Sequence, residues 1–189
     1  MRVNTITLLC YLVIFSLSLI SFTLVADIRI LNPTNINWLI DGDYGSGFFA
    51  WQFFRHTPIF QWPIGANLNY GLDYVGSSIV FLETIPLVAI ILKFFQSILP
   101  GNFQYNGLWL LLCFILQGFF SWKVLSTFTN NKILPIIGSI FFLIAPAFLF
   151  RLQFHFALSA HWLILFAFYL YIQNKNIFKQ WVILLVISL

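Results

Sequence analysis

Five acids and three histidines are the groups of this chain best suited by type to proton transfer near neutral pH, and their spacing is uneven. Two carboxylates fall together in "DGDYGSG", as Asp41 and Asp43. A third, Glu83, stands alone in an apolar stretch. A carboxylate within hydrogen-bond reach of a hydroxyl can take its proton, so these three are the candidate catalytic acids. Asp-x-Asp also occurs in calcium loops, but counted from Asp41 the sixth position is Ser46 and the twelfth is Gln52, where an EF-hand needs Gly and Glu. Each acid has a plainer role open to it. Asp43 is placed to cap a helix running from near Gly45 to Arg55, and Glu83 suits the positive end of a helix beginning near it. Asp73, after the turn-rich "NLNYG", reads as a turn or cap residue.

The cations that could hold an anionic substrate lie in two places. "FRLQFHFALSAHW" carries Arg151, His155 and His161. Arg151 and His155 are four apart and share a face if the stretch is helical, so together they would grip a phosphate by charge-assisted hydrogen bonds. His161, six positions on, is about 120° away around such a helix and makes a poor partner for His155 in a helical metal site. Snorkelling of Arg151 to headgroups is the competing use. "FFRHTP" places Arg55 and His56 at the end of the helix that Asp43 would cap, as dipole complements or as phosphate or acceptor contacts. Trp51 and Trp62 are candidate sugar-stacking platforms.

The elements that must carry these residues are membrane helices. Hydrophobic residues make up 61% of the 189 and charged ones 7%, where a soluble domain has about a quarter; mean hydropathy is +0.94. Apolar runs at 6–26, 106–125, 133–150 and 156–172 are long enough to span, or nearly so, and continuous enough to be helices. A run at 181–189 would reach only about 13 Å as helix, so the chain reads as the N-terminal part of something larger. The segment 27–76 holds four of the five acids and is expected to be a structured loop, since Trp38, Trp51, Trp62, Tyr70 and Tyr74 favour an interface. Net charge +4 comes from singly scattered Lys and Arg, which argues against nucleic acid and for orientation in a membrane. Cys10 and Cys113 sit in apolar runs, with no disulfide framework or metal site.

Sidedness turns on 77–99, which is apolar but carries Glu83, Pro86 and Lys93. If 6–26 enters from the cytoplasm and 77–99 stays outside as a juxtamembrane or re-entrant helix, then Lys123, Lys132, Lys175 and Lys179 all face inward. All five acids then face outward, as the positive-inside rule favours.

This plan resembles the amino-terminal module of the GT-C class of membrane glycosyltransferases. More closely, "GFFAWQFFR" (47–55), "WPIGANLNYGLDYVGSSIVFLETIPL" (62–87), "FQYNGLWLLLCFILQG" (103–118) and "HFALSAHWLILFAFYLY" (155–171) resemble a family of bacterial GT-C-like membrane proteins catalogued only as a domain of unknown function. The resemblance implies an all-α, polytopic inner-membrane protein. It would move a sugar from a polyprenyl-phosphate donor to a glycan or lipid acceptor at the extracytoplasmic face. It implies a first-loop acid, Asp41 or Asp43, as base, with Glu83 auxiliary and Arg151 with His155 on the donor phosphate. GT-C proteins commonly place a second acid in a later outer loop, where it helps to bind a metal. No acid follows Glu83 here, so a divalent cation stays open and no metal ligand is assigned. A transporter or flippase component, or a scaffold without chemistry, is the rival reading.

Overall fold

The computed structural model describes residues 5–40, 44–72, 75–173 and 182. Asp41, Asp43, Asp73 and nearly all of the expected run at 181–189 lie outside the described residues. Among the described residues the fold is mostly helical, with one short strand pair, and it divides into two units.

The first unit contains α1 (Thr5–Val25), most of α5 (Asn106–Leu125), α6 (Ile133–Leu143), most of α7 (Pro146–Phe154) and α8 (Trp162–Gln173). Helix α1 buries Cys10, Ile14, Ser18 and Phe22, a single row at four-residue spacing. Leu8, Leu9, Leu12, Phe15 and Leu24 stand exposed around the rest. A helix apolar on every side with so narrow a buried stripe is compatible with a membrane-spanning one. Phe22 meets Phe114 of α5 edge to face at 5.7 Å, and Gly118 lets α5 approach Ser18, whose hydroxyl a Cβ would strike. Lys123 lays its ammonium near the rings of Tyr11, Phe119 and Trp122 and donates to the Tyr11 hydroxyl at 2.9 Å.

Among the described residues, α1 and α5 are the two helices long and apolar enough to cross a membrane. The expected span at 133–150 is broken: α6 and α7 meet at a 47° bend. The bend falls where Pro146 cannot donate to the preceding turn and instead starts a new helix. The expected span at 156–172 is shorter too, because its first turn is a 3-10 turn at Ala157–Ser159 and α8 begins only at Trp162.

The second unit holds 29–108 and 154–157. After a 3-10 turn at Ile28–Leu31 come α2 (Asn37–Ile40) and α3 (Tyr44–Arg55). β1 (Ala66–Leu72) then pairs antiparallel with β2 (Gly76–Ser78), Ala66 opposite Ser78 and Leu72 opposite Gly76. This ladder corrects the all-α expectation, and 77–99 does not form the single helix expected of it. It begins in β2, passes through a 3-10 turn at Ile79–Phe81, and becomes helical only in α4 (Pro86–Lys93). Proline at 86 holds Ile85 in extended backbone (φ −100°, ψ 97°), so the helix cannot begin earlier. Eight residues make about 12 Å of helix, well short of a hydrocarbon core.

The segment after α4 is held by several side chains, Arg55 foremost. Arg55 is 2% exposed and donates to the carbonyls of Pro100 (2.7 Å), Leu99 (3.0 Å), Gln96 (3.1 Å) and Gly101 (3.4 Å). Trp51 and Gln52, one turn back on α3, both donate to Phe103 O. Gln104 reaches the carbonyls of Ile30 and Asn32, and Asn67 of the ladder donates to Ala50 O. Buried amide and guanidinium donors thus satisfy irregular backbone that has no ladder of its own.

Candidate functional site

Glu83 sits between the 3-10 turn and α4, in a segment fixed from three directions. Thr84 donates its hydroxyl to Ile79 O at 2.6 Å, and the Ile85 amide donates to the Tyr105 hydroxyl at 3.4 Å. Burial raises the Tyr105 phenol well above its usual pKa, so it stays protonated. From the third side α3 lies against the Glu83 backbone at Gly47, where a Cβ would stand 2.6 Å from the Glu83 carbonyl oxygen. Only glycine permits that approach.

His155 follows the end of α7 at Phe154, in the short length of chain that belongs to the second unit. Its neighbour Phe156 is 2% exposed and packs on Trp38 at 5.6 Å, which pins this length of chain. His155 Nδ1 lies 2.8 Å from Glu83 Oε1. A carboxylate oxygen accepts, so Nδ1–H donates and Nε2 is left for other work. The side chains are 41% and 31% exposed, open enough to be reached. Glu83 Oε2 is buried and, among the described residues, has no hydrogen-bond partner. A histidine held in one orientation by a carboxylate can take a proton at Nε2 while the carboxylate stabilises the imidazolium that forms.

The other expected site residues are placed differently. Because α7 ends at Phe154, Arg151 and His155 do not share a helical face; Arg151 belongs to the first unit, and His155 turns to Glu83. His161 is half-buried in the first unit, its ring 5.9 Å from that of Phe148. Arg55 is buried and engaged with four backbone carbonyls, whereas His56 beside it is exposed. Trp51 is buried against Tyr105, whereas Trp62 is 88% exposed. Among the described residues no three His, Cys, Asp or Glu side chains come together as metal ligands.

The sequence reading had Glu83 and His155 in separate roles and missed their pairing. Seventy-two positions separate them, and no local pattern links them. What signal existed was shared chemistry: two ionisable groups of complementary type, each isolated in apolar sequence.

No curated protein and no solved structure matches this chain. A family model does, over residues 15–189, and its description is domain of unknown function DUF6311. The match covers nearly the whole chain, from within α1 onward, and the protein belongs to the DUF6311 family.

Proposed function

We propose that this protein is a membrane glycosyltransferase of the GT-C kind, which transfers a sugar from a polyprenyl-phosphate donor to a glycan or lipid hydroxyl at the extracytoplasmic face. The observation that carries the reading is the 2.8 Å contact between Glu83 and His155, a base with its orienting carboxylate. In the transfer, the acceptor hydroxyl gives its proton to His155 Nε2 as its oxygen bonds to the anomeric carbon. The bond from that carbon to the phosphate oxygen breaks, and the polyprenyl phosphate leaves with the electron pair. Glu83 keeps the Nδ1 proton in place throughout. Asp41 and Asp43 are the rival bases, carried over from the GT-C resemblance. His56, in the same unit as Glu83 and His155, remains as a donor or acceptor contact; Arg151 and His161 keep that role from the sequence alone, and the acidic first loop is taken to face outward in a bacterial inner membrane.

The test is transfer from polyprenyl phosphoglucose and polyprenyl phosphomannose, assayed in parallel in membranes holding the full chain, with expression matched. His155→Gln is expected to lower the rate by about 100-fold or more, the scale of a general base. Glu83→Gln should cost less, since the imidazole remains. Loss in the Asp41→Asn, Asp43→Asn double variant with His155→Gln unaffected would return the role to the first-loop acids. Full transfer by all of these variants would sink the catalytic assignment and favour a scaffold or a transporter component.

A further inference from the structure

The second unit contains a second buried cation, and its environment differs from that of Arg55. Lys93, at the end of α4, is 3% exposed. Its ammonium donates to Thr57 Oγ1 and stands 4.1 Å from the centre of the Phe54 ring. An ammonium has three donors, and among the described residues no carboxylate pairs with it. Burial also lowers its pKa, as expected of a cation with so little compensation.

Lys93 lines a cavity of about 320 Å³, near the lower end of the range for small-molecule sites. Gln61 lines it too. Its Nε2 donates to the carbonyls of Ile64 (3.1 Å) and Ala66 (2.6 Å), which fixes the amide the right way round, and among the described residues its buried Oε1 has no partner. The cavity therefore offers one charged donor and one acceptor still unmet. The remaining lining is apolar, and much of it is exposed: Phe60 is 90% exposed, with Ile64 and Phe94 beyond half. Trp62, Phe81, Phe95 and Ile98 extend the exposed apolar surface of the same unit. A soluble monomer rarely leaves such rings in water, whereas a unit lying against a bilayer does.

We propose that this cavity binds one bilayer lipid, a monoanionic phosphodiester with a hydroxyl-bearing headgroup of the phosphatidylglycerol type. Its phosphate accepts from Lys93 Nζ, a headgroup hydroxyl donates to Gln61 Oε1, and its acyl chains run along Phe60, Ile64 and Phe94. A single negative charge matches a single buried cation. A zwitterionic ethanolamine lipid would bring a second ammonium into the same small space, and inorganic phosphate would leave the apolar rim uncovered. This site does not depend on the transfer reaction proposed above, and involves neither Glu83 nor His155.

The test uses the full chain, delipidated in a neutral detergent, with the melting temperature followed by tryptophan fluorescence. Dioleoyl phosphatidylglycerol is expected to raise the melting temperature along a saturable one-site curve. Dioleoyl phosphatidylethanolamine should need at least tenfold more lipid, and inorganic phosphate should give no shift. Lys93→Met should raise the apparent Kd at least tenfold. Phe60→Ala, which removes an exposed ring and disturbs no packing, should weaken binding severalfold. Equal response of wild type and both variants would overturn the site. An equal response to ethanolamine lipid would overturn the charge argument, and saturation by inorganic phosphate would overturn the lipid as occupant.

Discussion

The two units solve the same problem, how to hold a chain together with little charge, by different means. In the first, apolar stripes meet along helices whose backbones satisfy themselves, and close contacts end on side chains that can rotate: the obstacle facing Gly118 is the Ser18 hydroxyl. In the second, irregular backbone is held by buried polar side chains, and close contacts end on backbone that cannot rotate: the obstacle facing Gly47 is the Glu83 carbonyl. A unit of the first kind tolerates local change by repacking. One of the second kind transmits it.

The largest test of this difference is Arg55→Ala. It strips a charged donor from three carbonyls at 2.7–3.1 Å and a fourth at 3.4 Å, and it should cost more than about 3 kcal/mol, read as loss of detergent-resistant folded protein. Arg55→Lys should rescue little, because one ammonium cannot serve four carbonyls in a fork. Next comes the glycine pair. Gly47→Ala should destabilise by about 1–3 kcal/mol and reduce transfer, since it displaces the residue that orients His155. Gly118→Ala, which must move only the Ser18 hydroxyl and its bond to Ile14 O, should cost about 1 kcal/mol, less than Gly47→Ala, and leave transfer alone. Comparable losses from both glycines would erase the contrast between the units.

The smallest effect concerns pH. Burial lowers the Lys93 pKa in the folded state, so between that lowered value and the unfolded value of about 10.4 the unfolded chain binds more protons than the folded one. Stability of the lipid-free wild type should therefore rise with pH through that window. The increment should be absent in Lys93→Met, and is checked by unfolding in detergent at stepped alkaline pH. At neutral pH without anionic lipid, the methionine variant should be at least as stable as wild type, because it removes a buried charge lacking a carboxylate partner.

How legible each unit was in the sequence follows the same division. The runs at 6–26 and 106–125 match α1 and α5 to within a residue, because a helix long and apolar enough to cross a membrane is written in composition alone. The α6–α7 bend was missed where Pro146 interrupts an otherwise continuous apolar run. In the second unit the helix ending at Arg55 was readable, but the ladder was not, since "ANLNYGL" does not alternate cleanly. The stretch 77–99 misled because hydropathy cannot see that Ile85, before a proline, must be extended. The partners of Arg55 are hidden for a related reason: a cation at a helix end looks available until the carbonyls of a segment forty residues away are placed around it. Contacts between distant positions fix the site, and single-sequence patterns do not encode them.

Membrane sidedness underlies the whole proposal, and cysteine accessibility tests it directly. Asn69→Cys and Asn130→Cys, both at exposed positions, would be made singly in a chain with Cys10 and Cys113 replaced, then treated on intact cells with a membrane-impermeant thiol reagent. Labelling at position 69 and protection at 130 is the expected result, placing the ladder outside and the Lys123–Lys132 loop inside. Labelling at both positions, or at 130 alone, would contradict it and remove the outer-face site on which the transfer reading depends.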